Sequence, residues 1–451
     1  IIMSLSLVAQ NKTDNIPHLI VKDCRHLLVV DGEPFLVLGA QCNNSSAWPA
    51  TLPKVWSAMD AVGANTLEIP IYWEQFEPEE GKYDYSVVDM IITQARERNY
   101  RLVLLWFATW KNGSNHYMPQ WMKLQPEKYP NMTNKNGEQI DSPSPHSENT
   151  FNADIKAFTA FMQHLKDFDK QHTVIMVQIE NEPGTWGSVR DYSKKANKIF
   201  NNPVDDKILT SLKIKPKSNK NWEDVFGRDA DEFFHVWHVA EYIGKIAKAG
   251  KAIYPLPMYV NAALRNPFNT SYPPNYQVGG PNANVFHLWK AAAPDIDFLA
   301  PDIYFSDSKS YLKILELYSR ANNALMVPET MWHNDFPKYF YSALGNGAIG
   351  YAPFGLDDVR TRYDKKGNIM TAKEMYEPTA LNFRLFKPMA NEIAKLNFEG
   401  KIKTAVQLEV STEMGNTFDQ KNYITDTTLV FKGWDVNIAF GTFSRMARTV
   451  T

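Results

Sequence analysis

Between about residue 27 and residue 375 the sequence alternates short apolar runs with longer amphipathic stretches, and this alternation constrains the fold more than any other feature. The apolar runs lie at 35–41, 66–71, 102–106, 174–179, 258–261, 298–301, 325–328 and 348–351. Short bounded runs of this kind read as strands buried on both faces. Helical periodicity fills the gaps, as at 85–99, 155–168, 229–249 and 308–321. Repeated strand–helix units build a parallel sheet of the α/β class. Eight of them is the count of a closed (β/α)8 barrel, the TIM barrel, whereas a doubly wound open sheet usually has fewer strands.

A chain of 451 residues exceeds one compact barrel. The pattern divides it into an N-terminal segment (1–26), the barrel (27–375) and a C-terminal part (376–451). In the last part a helix at 386–397 precedes alternating runs at 404–410, 427–431 and 436–440, which read as a small β domain that the chain leaves unfinished. The first ten residues are apolar and end in small side chains, like the tail of a secretory signal, which gives the expectation of an exported protein. No window is long and apolar enough to span a membrane.

The formal charge of −2 offers no basic surface for nucleic acid. Two cysteines, Cys24 and Cys42, cannot make a disulfide framework or a cysteine-rich zinc site; a single bridge between them is one alternative, and two unpaired, buried thiols are the favoured reading. Aromatic residues reach 13%, which suits a carbohydrate partner because sugar C–H faces stack on rings; most such rings nevertheless pack cores. Two insertions, 110–152 and 190–229, follow predicted strand ends and so fall on the barrel face where active sites lie. The lysine-rich second one reads as a solvated excursion.

Two of the predicted strands end in glutamates. The fourth runs into Glu180-Asn181-Glu182-Pro183, and the proline stops the ladder there. Glu182 would project into the mouth, with Glu180 on the same side and one layer deeper by alternation. The seventh ends in Pro328-Glu329, followed by Trp332. Paired carboxyl groups across a barrel mouth suit glycoside hydrolysis, one as acid/base and one as nucleophile. Asn181 could donate to a sugar hydroxyl. Tyr304, at the end of the sixth strand, could donate to Glu329. Tyr72, Trp110 and Trp332 are candidates for lining a sugar site. This chemistry asks for no metal or other cofactor.

The stretch Asn65 to Tyr85, with Tyr72-Trp73 and Glu77-Pro78, resembles the second-strand motif of family 35 β-galactosidases, with a related version in family 42. Gln178-Ile179-Glu180-Asn181-Glu182 resembles the family 35 acid/base motif. The resemblance covers roughly residues 31–358. It implies that Glu182 is the acid/base and Glu329 the nucleophile of a retaining enzyme, an exo-acting β-galactosidase of the large clan with carboxylates on strands four and seven. Retention would set those carboxyls about 5–5.5 Å apart. The chain departs from the pattern twice. Gln41-Cys42-Asn43 stands where many members carry His-Tyr, and Thr109 stands where a glutamate holds a galactose hydroxyl. These departures resemble a divergent bacterial branch, some of whose members remove galactose from side chains such as those of xyloglucan. The remaining alternatives are another sugar within the clan and a silent carbohydrate-binding barrel.

Other patterns carry less. Gly345-Asn346-Gly347-Ala348-Ile349-Gly350 matches a dinucleotide fingerprint but precedes a strand instead of following one, so it reads as a turn. His235 and His238 share a helix with Glu241 and read as a partly exposed structural face rather than a metal site.

Overall fold

The computed structural model describes residues 16–215, 219–268, 273–332, 336–357, 368–408, 426–431 and 434–439. Its barrel strands are β1 (Val37–Gln41), β2 (Thr66–Tyr72), β3 (Arg101–Lys111), β4 (Val174–Asn181), β5 (Met258–Ala263), β6 (Phe298–Ile303), β7 in two halves (Met326–Val327 and Glu329–Thr330) and β8 (Gly350–Tyr351). Hydrogen-bonded neighbours follow chain order from β8 and β1 round to β6. The ring closes through β7. Its first half pairs with β8 and its second half with β6, all parallel. Pro328 separates the halves. With no N–H to give, it lets the ladder change partner there. The eight expected strands are all present, in the expected (β/α)8 closure.

Each strand is followed by a helix: α1 (Leu52–Val62), α2 (Ser86–Glu97), α3 (Glu148–Phe168), α4 (Ala230–Ile253), α5 (Phe286–Ala292), α6 (Ser308–Tyr318), α7 (Tyr339–Gly345) and α8 (Ala372–Phe386). Side-chain caps fix several starts. Ser147 accepts from Thr150 N, so α3 begins seven residues before the expected 155. Thr371 and Glu374 form a reciprocal capping box on α8. Strand β3 is buried on both faces from Leu102 to Lys111. Trp106 on it lies between Phe158 and Phe161 of α3, at centroid distances of 5.7 and 5.2 Å. Its indole N–H donates to Asp154 at 3.0 Å. Burying side chains of this size contributes about 1.5–3 kcal/mol each.

The strands His18–Lys22, Arg25–Val30 and Glu33–Phe35 form an antiparallel sheet. Cys24, Arg25 and His26 share a cleft with Asn323 and Leu325, which lead into β7, so this sheet covers the end of the barrel opposite the strand termini. The expected division at residue 26 falls inside its second strand. Cys24 sits in its hairpin turn and is exposed, contrary to the expectation of two buried thiols; Cys42 is buried, and both are free. The helix Ala390–Phe398 packs on this sheet. Beyond it, Asp426–Phe431 and Trp434–Ala439 form an antiparallel pair, while 401–408 form no strand where one was expected to begin. Residues 409–410 of that expected run, and residue 440, lie outside the described residues.

The second insertion is not a plain excursion. It contains the helices Lys194–Asn201, Asp206–Ser211 and Trp222–Phe226, with Trp222 buried against Phe234 of α4. Residues 216–218, inside the lysine run, lie outside the described residues. The glycine-rich 345–350 segment is the turn from α7 into β8, as expected. No helix among the described residues is long and apolar enough to cross a membrane.

Candidate active site

Glu182 and Glu329 come from opposite sides of the ring and meet at the end of the barrel where the strands terminate. Glu182 retains 8% of its accessible surface and Glu329 5%, so both carboxyl groups border the mouth while lying almost wholly inside it. The backbone just before and at Glu182 leaves the strand conformation. Glu180 (φ 60°) and Glu182 (φ 44°) both occupy the left-handed region that non-glycine residues avoid. Such geometry costs on the order of 1–3 kcal/mol per residue, and its surroundings must hold it. Here they do so through several bonds. Glu182 N donates to Asn261 Oδ1 at 2.8 Å. Its carbonyl accepts from Gly113 N at 3.0 Å and from Gln277 Nε2.

The left-handed turn at Glu180 breaks strand alternation, so Glu180 does not lie beneath Glu182 as expected. Its carboxylate is buried and accepts from Trp110 N at 2.6 Å. Burial first, then the nearby Asp154 charge, holds it well above the usual carboxylate range. It belongs to a closed network with Asp154, Thr109 and Tyr242. Thr109 Oγ1 reaches Asp154 at 2.7 Å and Tyr242 at 3.0 Å.

Glu329 is surrounded by donors. Oε1 accepts from Gln41 Nε2 at 2.9 Å and Asn181 Nδ2 at 3.2 Å, with Asn261 Nδ2 at 3.5 Å. Oε2 accepts from Tyr304 at 2.9 Å. Such a donor set fixes the orientation of the carboxyl group. Tyr304 is 40% exposed, so its ring forms part of the rim while its hydroxyl faces inward. Asn181 donates to Glu329 instead of projecting free toward a sugar, and its Oδ1 accepts from Lys111 Nζ at 2.8 Å.

Lys111 was not anticipated. Between Trp106 and Lys111 strand β3 advances five residues while β4 advances two, from Ile179 to Asn181. This bulge takes 107–110 out of the ladder with β4 and returns Lys111 to it opposite Asn181. Trp110 is consequently buried in the core with its ring edge against Tyr242 at 4.9 Å, and Lys111 occupies the site side of the strand. Lys111 retains 4% of its surface. Burial lowers its pKa, opposed by the charges of Glu329, Glu182 and Asp302.

Tyr72 is also buried. Its hydroxyl donates to Asn44 O at 2.6 Å and accepts from Ala47 N at 3.2 Å, and its ring stacks on Tyr117. It buttresses the loop that carries Trp48, which is exposed, instead of facing the mouth itself. Trp332 is buried as well, tilted against Tyr376 of α8 at 5.4 Å. Gln41, Lys111, Asn261 and Asp302 are the site residues that the sequence reading left out. Three of them, Gln41, Asn261 and Asp302, are polar residues near the C-terminal ends of barrel strands, and that position was an available signal. Lys111 gave none, because it depends on the bulge.

A backbone clamp secures the loop after Glu182. Thr185 and Val278 exchange hydrogen bonds at 2.7 and 3.0 Å. Gly184 (φ 122°) passes so close that a Cβ there would lie 2.1 Å from Val278 O. Ser142, from the first insertion, donates to Gly184 O at 2.9 Å. Gly184→Ala is expected to destabilise the protein by roughly 1–3 kcal/mol in chemical denaturation, and to lower kcat/KM by up to about 10²-fold through displacement of Glu182. His235 lies under this clamp, fully buried, and burial drives its pKa down to about 3. It is not the partly exposed residue expected. His238 lies 3.9 Å from Glu241. No group of three metal-type ligands occurs among the described residues.

The fold and site define a parallel (β/α)8 barrel with two carboxyl groups at its mouth. A model of a β-galactosidase family, glycoside hydrolase family 42, matches residues 43–236. A protein named beta-galactosidase 14 from Arabidopsis thaliana is 24% identical over 163 residues, 34% of this chain and 17% of that protein. The β-galactosidase from Bacillus circulans sp. alkalophilus superposes with a TM-score of 0.56 at 14% identity, over 80% of this chain and 57% of that one. The catalytic domain of a β-amylase from Paenibacillus polymyxa superposes with a TM-score of 0.54 at 12% identity, over 76% of this chain and 97% of that one. At these identities the structural likeness shows the barrel fold alone. The chain spans less than two thirds of the Arabidopsis and Bacillus proteins it matches.

Proposed function

We propose that this chain is a retaining, exo-acting β-glycosidase that releases terminal galactose from oligosaccharides or polysaccharide side chains. The observation that carries the reading is the asymmetry of the two mouth carboxyls. Burial and the Glu329 charge push Glu182 up to about 7, against the opposing pull of Lys111 and a hydrogen bond from Asp302. Glu329 instead receives amide and phenol donors on both oxygens. One group is suited to carry a proton near neutral pH and the other to attack as an anion. Glu182 protonates the glycosidic oxygen while Glu329 attacks the anomeric carbon. Glu182 then takes a proton from water as that water displaces the sugar from Glu329.

A second sugar within the same chemistry is favoured by Thr109. Where the resembled pattern places a hydroxyl-holding glutamate, this chain turns a small side chain into the Asp154 network. Nitrophenyl β-glycosides of galactose, glucose, mannose and xylose separate the two readings. The galactoside is expected to show the highest kcat/KM. Negligible galactoside turnover with cleavage of another sugar would sink the galactosidase reading.

A further inference from the structure

A third carboxyl group lies beside the pair. Asp302, near the end of β6, retains 2% of its surface and pairs across the ladder with Glu329. Its Oδ2 accepts from Asn261 Nδ2 at 2.8 Å. The same Asn261 accepts the Glu182 N–H and leans toward Glu329, so one amide ties all three acids together. The other oxygen of Asp302, Oδ1, is buried and accepts no hydrogen bond. The Asp302 and Glu182 carboxyl groups lie within hydrogen-bonding reach of one another, and with Oδ2 bound to Asn261, Oδ1 is the oxygen left to make that contact.

Charge balance decides what such a contact is. Three ionised carboxyls beside the single ammonium of Lys111 would leave two uncompensated negative charges in a site almost closed to water, which is strongly unfavourable. An ionised Oδ1 facing a carboxylate would be an unmet acceptor against a like charge. A proton on Oδ1 turns the same contact into a donated hydrogen bond. Among the described residues, the remaining groups facing Asp302 are phenols: Tyr304 of the mouth, Tyr259 on β5 and Tyr318 on α6. None of these supplies a second positive charge.

We infer that Asp302 is held as the neutral acid and donates its Oδ1 proton to Glu182, a positioning role that stabilises the Glu182 carboxylate in the half-reaction where it acts as base. This rests on the reading of Glu182 as acid/base. The resting site then balances, with Glu329 anionic, Lys111 cationic, and Glu182 and Asp302 protonated. It balances again once Glu329 is glycosylated and Glu182 has given up its proton. Burial as the largest cause, then the charges of Glu329 and Glu182, pushes Asp302 well above the carboxylate range, in agreement with this arrangement.

Asp302→Asn tests the inference, because its amide can accept from Asn261 and donate to Glu182 as the neutral acid does. The expected result is kcat/KM within about threefold of the parent and a basic limb of the pH profile moved by less than about 0.3 unit. Asp302→Leu, which cannot donate, is expected to lose about tenfold or more, with the basic limb moved upward. A basic limb that falls by about one unit or more in Asp302→Asn would show that Asp302 carries charge, and would overturn the inference. Infrared spectra supply a readout independent of turnover. The difference spectrum of Glu182→Gln against Glu182→Gln/Asp302→Asn should show a neutral-acid C=O band above neutral pH, the bands of other buried acids such as Glu180 cancelling. Its absence from that difference spectrum overturns the proton assignment. Full turnover by Glu182→Gln would tell against the acid/base reading instead, while the band still reports on Asp302.

Discussion

Glu329→Gln is expected to lower kcat/KM by roughly 10⁴-fold or more, about 5.4 kcal/mol of transition-state stabilisation. The amide cannot form the glycosyl ester, and its carbon–nitrogen side cannot replace the anion that stabilises positive charge at the anomeric centre. The environment of Glu329 makes the substitution harsher than a simple loss of nucleophilicity. Gln41, Asn181 and Asn261 all present N–H groups to Oε1, and Tyr304 presents a hydroxyl to Oε2. With its NH2 in the Oε1 position the amide is a donor facing three donors; with its NH2 in the Oε2 position the Tyr304 hydroxyl must reverse and accept. The fold should survive, because β7 is pinned by β6 and β8 independently of this side chain. Circular dichroism and thermal unfolding check that, and unchanged turnover would remove Glu329 from its role.

Glu182→Ala is expected to show a loss that depends on the leaving group. For an alkyl or sugar aglycone, whose departing oxygen needs a proton, kcat/KM should fall by about 10²–10⁴-fold. For a dinitrophenyl aglycone, which leaves as a stable anion, kcat/KM should fall by less than about tenfold, while kcat becomes limited by release of the glycosyl-enzyme. In the parent protein the same group should impose a pH dependence. Its folded-state pKa is raised to about 7, so the acid form required for bond cleavage is present below that value. Activity on alkyl glycosides should therefore decline as pH rises through about 7, and this limb should be absent from Glu182→Ala. An equal loss for both aglycones would assign Glu182 a structural role only.

The barrel was legible because strand and helix periods differ, and because the strands are buried on both faces. The division of the seventh strand was not read from the sequence, although Pro328, with no N–H to give, was an available signal. Glu182 and Glu329 were legible for the same reason, as carboxyls at the ends of strands on opposite sides of a ring. What the sequence did not show are the places where backbone departs from its regular period. The bulge at 107–110 exchanges Trp110 for Lys111, and the left-handed residues at Glu180 and Glu182 send two nearby glutamates into different environments. Neither is visible to an argument from alternation. Tyr72 and Trp332 illustrate a different limit, since an aromatic residue at a strand end serves equally as a wall of the site or as support behind it. Gln41 marked a departure from the resembled family, and the structure turns it into a donor to Glu329.

The central claim is that Glu329 becomes covalently bound to the sugar while Glu182 handles the proton. It is tested most directly by incubation with an activated 2-deoxy-2-fluoro-β-galactoside, followed by mass spectrometry of the digested protein. The expected result is one fluorosugar per chain, attached to the peptide containing Glu329. Attachment to Glu182 or Asp302, or turnover of a β-galactoside that releases the α-anomer with no adduct formed, would contradict it.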